Sequence, residues 1–332
     1  LRAFASFGFC KAHAAAFALP TYHSAWLKAH YPAAFLAGLL THDPGMYPRR
    51  LIVDEARQMN IDIAPVDVNF SDRLYRVEKE GSEGNFVYAI RMALQDVQGI
   101  TDAEIDSIIA GRPYVDLADF VHRTSVSEPT TEALILIGAF QSLHPGFNHR
   151  DLFLHFSDLK KLNKNSRVKN GVSQLSLGLS PGPIERSGLK DLTPLEKVRN
   201  EITLTGMDIS HHMISFYGEF LNAIGAVRSS EVIKQRSESI ILVAGVKVSL
   251  QTPPVRSGRR VMFLTIDDGY GCNDITFFED VQADCAALVQ SAKLFLIRGA
   301  VRRTGEKGVS LRALSAWDLR DSYEQWRNLR NL

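Results

Sequence analysis

Apolar residues recur at helical spacing near the start of the chain, in residues 12–40, where aromatic and aliphatic side chains return every three or four positions. Pro20 and Pro32 interrupt this stretch, and we expect them to divide it into short packed helices. A further helix is predicted for residues 48–60. Apolar and polar positions then alternate in residues 61–69, which predicts a short strand with one buried face.

The centre of the chain predicts helices separated by a linker. Residues 84–112 are expected to form a helix, a turn at Gly99 and a second helix. Residues 144–187 are rich in Asn, Lys, Ser, Gly and Pro and poor in apolar residues, so we expect a linker there. The helical pattern resumes at Thr193, a predicted N-cap, with Glu196 at the third position of a capping box.

The last part of the chain is rich in β-branched and aromatic residues. Five such runs, separated by turn residues, predict five strands at residues 240–248, 261–267, 275–278, 294–301 and 309–314. Residues 279–291, between the third and fourth runs, predict a helix. Five strands with one helix after the third is the layout of an OB-fold barrel, which often binds single strands. The predicted fold class is therefore multidomain α+β, with helical domains followed by a five-stranded OB-fold β-barrel.

Composition adds few constraints on function. The 332 residues carry 38 Lys+Arg against 37 Asp+Glu, a formal net charge of +1, so only local patches could select a charged partner. Three cysteines without a CxxC pair argue against a disulfide framework and against structural zinc. No long apolar span or signal peptide is visible, so we expect a soluble, cytoplasmic protein. Residue 1 is Leu and apolar sequence begins at once, so we expect a piece of a longer protein.

The predicted barrel contains the clearest candidates for ligand binding. Bases stack on aromatic rings and phosphates pair with cations, so interleaved aromatic and basic residues favour single-stranded DNA. The candidate DNA-binding residues are Arg256, Arg259, Arg260, Phe263, Phe277, Arg298, Arg302 and Arg303. The alternative is that the phenylalanines belong to the barrel core and the arginines to a solvated rim.

The turn at Gly99 is a second candidate. A helix-hairpin-helix uses a Gly-apolar-Gly turn whose backbone amides face a DNA phosphate. Here the second glycine is replaced by Thr101, and the acidic residues Asp102, Glu104 and Asp106 would repel a phosphate. A purely structural helical hairpin therefore remains an alternative.

The predicted linker contains one apolar island, QLSLGL, which could dock into an apolar pocket of a protein partner. Its candidate contact residues are Gln174, Leu175, Leu177 and Leu179. An island without function is the alternative. No nucleophile, metal-ligand or phosphate-loop motif occurs, and we expect no metal site in this chain. Asp267 and Asp268 precede Gly269 in a predicted hairpin turn and are interpreted as turn residues.

Four segments together resemble the C-terminal part of the bacterial C-family DNA polymerases, the group of the polymerase III alpha subunit. They are SFGFCKAHAAAFALPTYHSAWLKAHYPAAFLAGLL, PVDVN, LILIGAFQSL and VAGVKVSLQTPPVRSGRRVMFLTIDDGYGCNDITFFEDV. The resemblance covers nearly the whole chain. The segments LTHDPGMYPRR and QTPPVRSGRRVMFLTIDDG are most similar to the error-prone, damage-inducible branch. The chain also stops shortly after the barrel, whereas a replicative subunit would continue.

The resemblance implies that the first segment is the end of the fingers domain. Lys11 and His13 would then bind the incoming deoxynucleoside triphosphate or the template, above a helical core of Tyr22, Trp26 and Phe35. The alternative for Lys11 and His13 is a helix N-terminus with satisfied polar side chains. We expect Lys28 and His30 to reach the surface.

The resemblance also implies what lies outside this chain. Polymerisation requires palm aspartates that hold two Mg²⁺ ions, and no matching Pro-Asp-x-Asp pattern occurs, so no catalytic residue is expected here and the chain alone should be inactive. The implied function is error-prone DNA synthesis in translesion repair and damage-induced mutagenesis, with DNA, nucleotides and a sliding clamp or mutagenesis accessory proteins as partners. A replicative alpha subunit and a free-standing DNA-binding or clamp-tethering protein are the rival hypotheses.

The pattern and the resemblance together give the expected domain boundaries. They are 1–83 for the end of the fingers, 84–143 for a helix-hairpin-helix-like domain, 144–192 for a flexible linker, 193–239 for a helical connector, 240–316 for the OB-fold and 317–332 for a C-terminal tail.

Overall fold

The computed structural model describes residues 11–45, 47–82, 85–166, 182–253, 261–303, 305 and 308–330. Contacts divide the chain into two units, one formed by residues 1–45 and 55–210 and the other by residues 46–54 and 211–332. The fold is a mixture of helices and strands, as expected. Within the described ranges, no helix is both long enough and apolar enough to cross a membrane.

The first unit contains most of the helices and a small sheet. Its elements are α1 (Lys11–His30), α2 (Pro32–His42), the last four residues of α3 (Arg49–Gln58), β1 (Asp62–Ala64), β2 (Arg76–Ser82), β3 (Asn85–Arg91), α4 (Asp102–Ala110), α5 (Leu117–Arg123), α6 (Glu128–Leu136), α7 (His149–Ser166) and α8 (Pro194–Thr205). Strand β3 lies in the middle of the sheet, parallel to β1 and antiparallel to β2.

Helix α1 differs from the prediction in two ways. It continues through Pro20, because the carbonyl that loses its hydrogen bond there belongs to the exposed Ala16 and can be solvated. Tyr22 and Trp26, expected in a helical core, are 66% and 43% exposed. The next helix, α2, supplies the buried apolar face instead, with Leu36 completely buried.

The prediction of a helix before Gly99, as the first helix of the hairpin, is wrong. Residues 85–91 form strand β3, which pairs with β2 over seven residues. The run Phe86-Val87-Tyr88 explains the difference, because aromatic and β-branched side chains favour a strand once a neighbouring strand is present. The second predicted helix is present as α4, which begins after Thr101.

The segment PVDVN forms a tight turn that holds a distant loop. The Asp67 carboxylate accepts hydrogen bonds from the backbone amides of Asn69 (2.8 Å) and Phe70 (3.2 Å). The Asn69 side chain then exchanges two hydrogen bonds with the backbone of Tyr114, at 2.9 and 2.8 Å. The Arg112 guanidinium donates to the Val68 carbonyl at 2.7 Å. PVDVN therefore has a structural role, and within the predicted strand at residues 61–69 only Asp62–Ala64 is a strand.

The predicted linker is wrong for residues 149–166, which form α7. An apolar face of Leu152, Phe156 and Leu159 buries this helix, and its spacing was hidden by the many polar residues on the other face. Residues 187–191 lie against the first turn of α7, where Ser187 donates from its amide and hydroxyl to Asp151 at 2.7 and 2.6 Å.

The capping box at the start of α8 is confirmed. The Thr193 hydroxyl accepts from the Glu196 amide at 3.2 Å, and the Glu196 carboxylate accepts from the Thr193 amide at 2.7 Å. Proline at the first helical position completes the predicted signal.

The second unit is built on a closed barrel of five strands, which neighbour one another in the order first, second, third, fifth and fourth along the chain. Its elements are the first six residues of α3, α9 (Gly218–Ala223), α10 (Ser229–Val232), β4 (Ile240–Gln251), β5 (Met262–Asp267), β6 (Cys272–Phe277), α11 (Glu279–Ser291), β7 (Leu294–Arg303), β8 (Val309–Asp318) and α12 (Leu319–Arg330). All five predicted strands and the helix after the third are present, so the OB-fold prediction is confirmed. Strand β6 closes the barrel by pairing in parallel with β8.

Two apolar clusters stabilise this unit. One fills the barrel and includes Phe277 and Phe295, both completely buried. The other lies outside the barrel, where Tyr217 and Phe220 pack with Leu319 and Trp326 of α12 against strands β4 and β7. The residues expected to form a tail therefore form a helix that covers one part of the barrel surface.

Gly245 allows β4 and β5 to approach closely. A Cβ atom at this position would lie 2.8 Å from the Asp267 carbonyl oxygen and 2.9 Å from Ile266 Cβ. Because both atoms belong to the neighbouring strand and cannot rotate away, any side chain here would push the strands apart. A Cβ atom added at Gly218, in α9, would have no other atom within 4 Å.

We expect Gly245→Ala to lower the free energy of unfolding of the second unit by about 1–3 kcal/mol, because the added methyl overpacks a rigid contact. Urea unfolding followed by tryptophan fluorescence measures this in a Trp26→Phe background, where Trp317 and Trp326 report on the second unit. Gly218→Ala is the matched control and should change stability by less than about 1 kcal/mol. Equal losses for both variants would contradict the close-approach explanation.

Candidate nucleic-acid interface

The barrel presents an outer row of five side chains on five neighbouring strands. Strand register aligns Gln251 with Phe263, Phe263 with Thr276, Thr276 with Arg312, and Arg312 with Ala300. Directly paired residues point to the same side of a sheet, so these five side chains form a continuous row on the outside of the barrel. We call this set the outer row.

Phe263 is the aromatic residue of the outer row and is 43% exposed. Its position on the outside, with small or polar neighbours at Gln251 and Thr276, leaves a ring face on which a base could stack. Phe277, the other predicted DNA-binding phenylalanine, is completely buried in the barrel core. That assignment is therefore wrong, because alternation along β6 turns Phe277 inward beside an outward Thr276.

Arg312 was not among the DNA-binding residues predicted from the sequence. It lies in the outer row, forms a 2.6 Å ion pair with Asp280 and stands 5.7 Å from the ring centroid of Phe278. Both members of the ion pair are half exposed, so their attraction is weak and a phosphate could replace Asp280. The signal for Arg312 was its alternation with the buried Leu311 and Ala313 on β8.

The predicted arginines fall into two groups. Arg298 and Arg302 are exposed on β7, two residues before and two residues after Ala300 of the outer row. Arg303 is also exposed and donates to the Ile233 carbonyl at 2.7 Å. Arg256, Arg259 and Arg260 lie outside the described residues, in the sequence between the end of β4 at Gln251 and the start of β5 at Met262.

Gly99 lies in a turn with φ of +84°, a left-handed conformation that favours glycine. The backbone amide of Thr101, at the place of the second glycine, donates to the Glu104 carboxylate at 2.8 Å and is therefore already occupied. Asp102 and Asp106 both pair with Arg73, with Asp106 at 2.6 Å. Arg73 thus compensates one of the negative charges around the turn.

Glu104 links the starts of two helices. Besides the Thr101 amide at the start of α4, its carboxylate accepts from the amide of Ser127, the N-cap residue of α6, at 2.9 Å. Burial alone would raise the pKa of Glu104, but the hydrogen bonds from Ser127 and Thr101 outweigh it and lower the pKa from 4.5 to about 2.

Lys11 and His13 lie in the first turn of α1 and are both exposed. The ring of His13 contacts Phe17 on the next turn, with 4.6 Å between centroids. Lys28 forms an ion pair with Glu55, and His30 packs against Trp26 at 4.5 Å. The four residues of the clamp-binding prediction, Gln174, Leu175, Leu177 and Leu179, lie outside the described residues.

Among the described residues, Asp54, His212 and Asp267 form the one cluster with potential metal ligands within 4.8 Å of one another. Asp267 Oδ2 already accepts from Arg50 (3.0 Å) and His212 (3.2 Å), and its Oδ1 accepts from the Gly269 amide at 2.9 Å. A guanidinium beside the carboxylate disfavours a metal cation there. The cluster therefore fits a buried ion-pair network, and the turn role predicted for Asp267 is confirmed.

Comparison with known families identifies two segments. Residues 60–152 match the family described as "Helix-hairpin-helix motif". Residues 241–319 match the family described as "OB-fold nucleic acid binding domain". The first match begins before β2, so the strands β2 and β3 belong to the matched region together with α4–α6.

Comparison with curated proteins finds relatives over most of the chain. An error-prone DNA polymerase of Symbiobacterium thermophilum is 33% identical over 317 residues, covering 85% of this chain and 29% of that protein. An error-prone DNA polymerase of Bdellovibrio bacteriovorus is 30% identical over 320 residues, covering 92% and 29%. A DNA polymerase III subunit alpha of Pasteurella multocida is 29% identical over 333 residues, covering 95% and 28%. The chain thus spans less than a third of the length of these relatives.

The pKa of Glu104 predicts a pH-dependent contribution to stability. The pKa of Glu104 is lower in the folded state than in the unfolded state, so the ionised carboxylate stabilises the fold. This stabilisation is complete above pH 4.5 and is lost as the pH falls towards 2. We expect Glu104→Gln to destabilise the first unit by about 1–3 kcal/mol near neutral pH, and by less below pH 4.5. Hydrogen-exchange mass spectrometry of peptides from α4 and α6 measures the difference.

Glu132→Gln is the control for this prediction. Glu132 lies on α6 and forms a 3.1 Å ion pair with Lys160, but its side chain is 42% exposed. We therefore expect a change of less than about 1 kcal/mol. A Glu104→Gln effect as small as that of the control, or one that is constant with pH, would contradict the role assigned to the carboxylate.

Proposed function

We propose that this chain, a homologue of bacterial error-prone DNA polymerases and of a DNA polymerase III alpha subunit over most of its length, is the DNA-holding part of a larger error-prone DNA-directed DNA polymerase. The observation that carries the proposal is the similarity to polymerases over 85–95% of the chain. The helix-hairpin-helix and OB-fold matches support a DNA-binding role for the same residues.

In this proposal the barrel holds single-stranded template DNA. Phe263 would stack on a base, while Arg312, Arg298 and Arg302 would pair with phosphates along the backbone. The exposure of Phe263 and the alignment of the outer row support this role. Arg256, Arg259 and Arg260, which follow β4 in the sequence, would add cations near the end of the barrel where Gln251 lies.

The other sequence-based roles belong to the same proposal. Lys11 and His13 would meet the nucleotide or the template, and Gly99 would approach a DNA backbone. The Mg²⁺ ions of polymerisation would be held by residues outside this chain, which would be inactive alone. Gln174, Leu175, Leu177 and Leu179 would contact a sliding clamp, unless an accessory protein makes that contact.

We further propose that the parent enzyme acts in translesion synthesis and damage-induced mutagenesis, because relatives on which the proposal rests are described as error-prone polymerases. The similarity to a DNA polymerase III subunit alpha supports a second candidate, a replicative polymerase. The two candidates predict different behaviour at a damaged template base.

We expect Phe263→Ala to weaken binding of single-stranded DNA about 5- to 150-fold, since base stacking on one aromatic ring contributes about 1–3 kcal/mol. Arg312→Ala should reduce the slope of log K against log salt by about 0.7, the value for one phosphate contact on a single strand. Fluorescence anisotropy with labelled single-stranded and duplex oligonucleotides across a salt series measures both effects.

Tyr270→Ala and Arg228→Ala are the controls for the barrel. Tyr270 is an exposed aromatic residue in the turn at the other end of β5, and the Arg228 guanidinium lies 4.5 Å from its ring centroid. Their loss should leave DNA affinity and salt slope unchanged. Equal weakening by the control variants, or no single-strand binding at low salt, would contradict the proposed role of the outer row.

Primer extension by the complete polymerase that contains this sequence tests the translesion proposal. With Mg²⁺ and a template carrying an abasic site, we expect extension past the lesion. Phe263→Ala should raise KM for the primer–template and leave kcat unchanged, because it removes binding that is equal in ground and transition states. Termination one nucleotide before the lesion would favour the replicative candidate instead.

A further inference from the structure

The hairpin of β2 and β3 has two chemically different faces. Register pairs Lys79 with Tyr88 and Gly81 with Phe86. Because side chains alternate along a strand, Lys79, Phe86 and Tyr88 share one face. Val87 lies on the opposite face of β3.

The face with the two aromatic residues is buried at one end and exposed at the other. Ile90, nearest the body of the unit, is completely buried, whereas Tyr88 is 42% and Phe86 37% exposed. Gly81 lies opposite Phe86, so the directly paired residue contributes no side chain beside the ring. The Lys79 ammonium lies over the Phe86 ring, 3.4 Å from its centroid, so it covers one face of the ring and a base could stack only on the other face.

The opposite face has its charges balanced. Arg91 donates two hydrogen bonds to the Glu78 carboxylate, at 2.9 and 2.6 Å, and Arg76 adds a third at 3.0 Å. Both guanidinium groups are therefore engaged in ion pairs with Glu78. On the aromatic face, in contrast, the Lys79 ammonium contacts an aromatic ring and, among the described residues, not a carboxylate.

We propose that Lys79, Phe86 and Tyr88 form a second binding site for single-stranded nucleic acid, in the first unit and separate from the barrel. Two exposed rings two residues apart on one strand stand about 7 Å apart, a spacing that lets bases of one extended strand stack on both. The ammonium of Lys79 supplies the positive charge for a phosphate between them. Unpaired bases fit this surface because they offer their flat faces, which a duplex keeps stacked inside.

The test uses the whole chain in two backgrounds, the natural sequence and one with Phe263→Ala and Arg312→Ala. Anisotropy with a labelled oligothymidylate probe measures affinity. We expect Phe86→Ala or Tyr88→Ala to weaken binding about 5- to 150-fold in both backgrounds. Lys79→Gln should reduce the salt slope by about 0.7. An effect in the background that lacks the barrel residues would support this site even if the proposed barrel function fails.

Val87→Ala is the matched control, because Val87 is a 50% exposed apolar residue on the same strand but on the opposite face. It should leave affinity unchanged. Weakening equal to that of Phe86→Ala would overturn the proposal, because the hairpin would then matter only through its folding.

Photocrosslinking of the natural chain to an oligonucleotide with 5-iodouracil avoids any change in the protein. We expect crosslinked peptides from β3 that contain Phe86 or Tyr88. Crosslinks confined to residues 240–318 would overturn the proposal. Displacement of the probe by duplex DNA as readily as by single strands would overturn the assignment to unpaired bases.

Discussion

Closure of the five-stranded barrel is the constraint on which the second unit depends. When β6 pairs with β8, every strand has two neighbours and each side chain must point either into the core or outwards. This is why Phe263 and Phe277, on adjacent strands, have opposite environments. Close contact between strands also requires glycine at Gly245, where the backbone of β5 leaves no room for a methyl group. The outer row therefore follows from the geometry of closure.

Several carboxylates in this protein accept hydrogen bonds from backbone amides and guanidinium groups. Glu104 joins two helix starts, Asp151 fixes the segment after Gly182, and Asp267 binds an arginine, a histidine and a turn amide. Negative charge counted along the sequence therefore overstates the repulsion that a nucleic acid would meet. The net charge of +1 for the whole chain does not show this difference in position. Some acidic residues are engaged within the protein, whereas arginines are exposed on β7 and β8.

The sequence predicted elements well where a local signal agreed with the final packing. The strands of the barrel, the helix Glu279–Ser291 and the capping box at Thr193 were of this kind. The predicted secondary structure was wrong where pairing or packing with a segment distant in sequence determines the structure. Strand β3 depends on pairing with β2, and α7 on burial of a face whose apolar residues are widely spaced. For the candidate site, arginines could be recognised by type, but only strand register puts Arg312 beside Thr276 and turns Phe277 inward.

The seam between β6 and β8 has a consequence for how the barrel assembles. Strands β4, β5 and β6 are joined by successive antiparallel pairings, and β7 and β8 form a hairpin, whereas the seam joins strands separated by α11 and β7. The seam and the pairing of β4 with β7 are both non-local, so both have a larger loop-closure cost than the pairings of consecutive strands. One of the two residue pairs at the seam is Thr276 with Arg312, both in the outer row. A strand of DNA bound along that row would span the seam, and because it binds only the closed barrel it would stabilise the folded state by mass action.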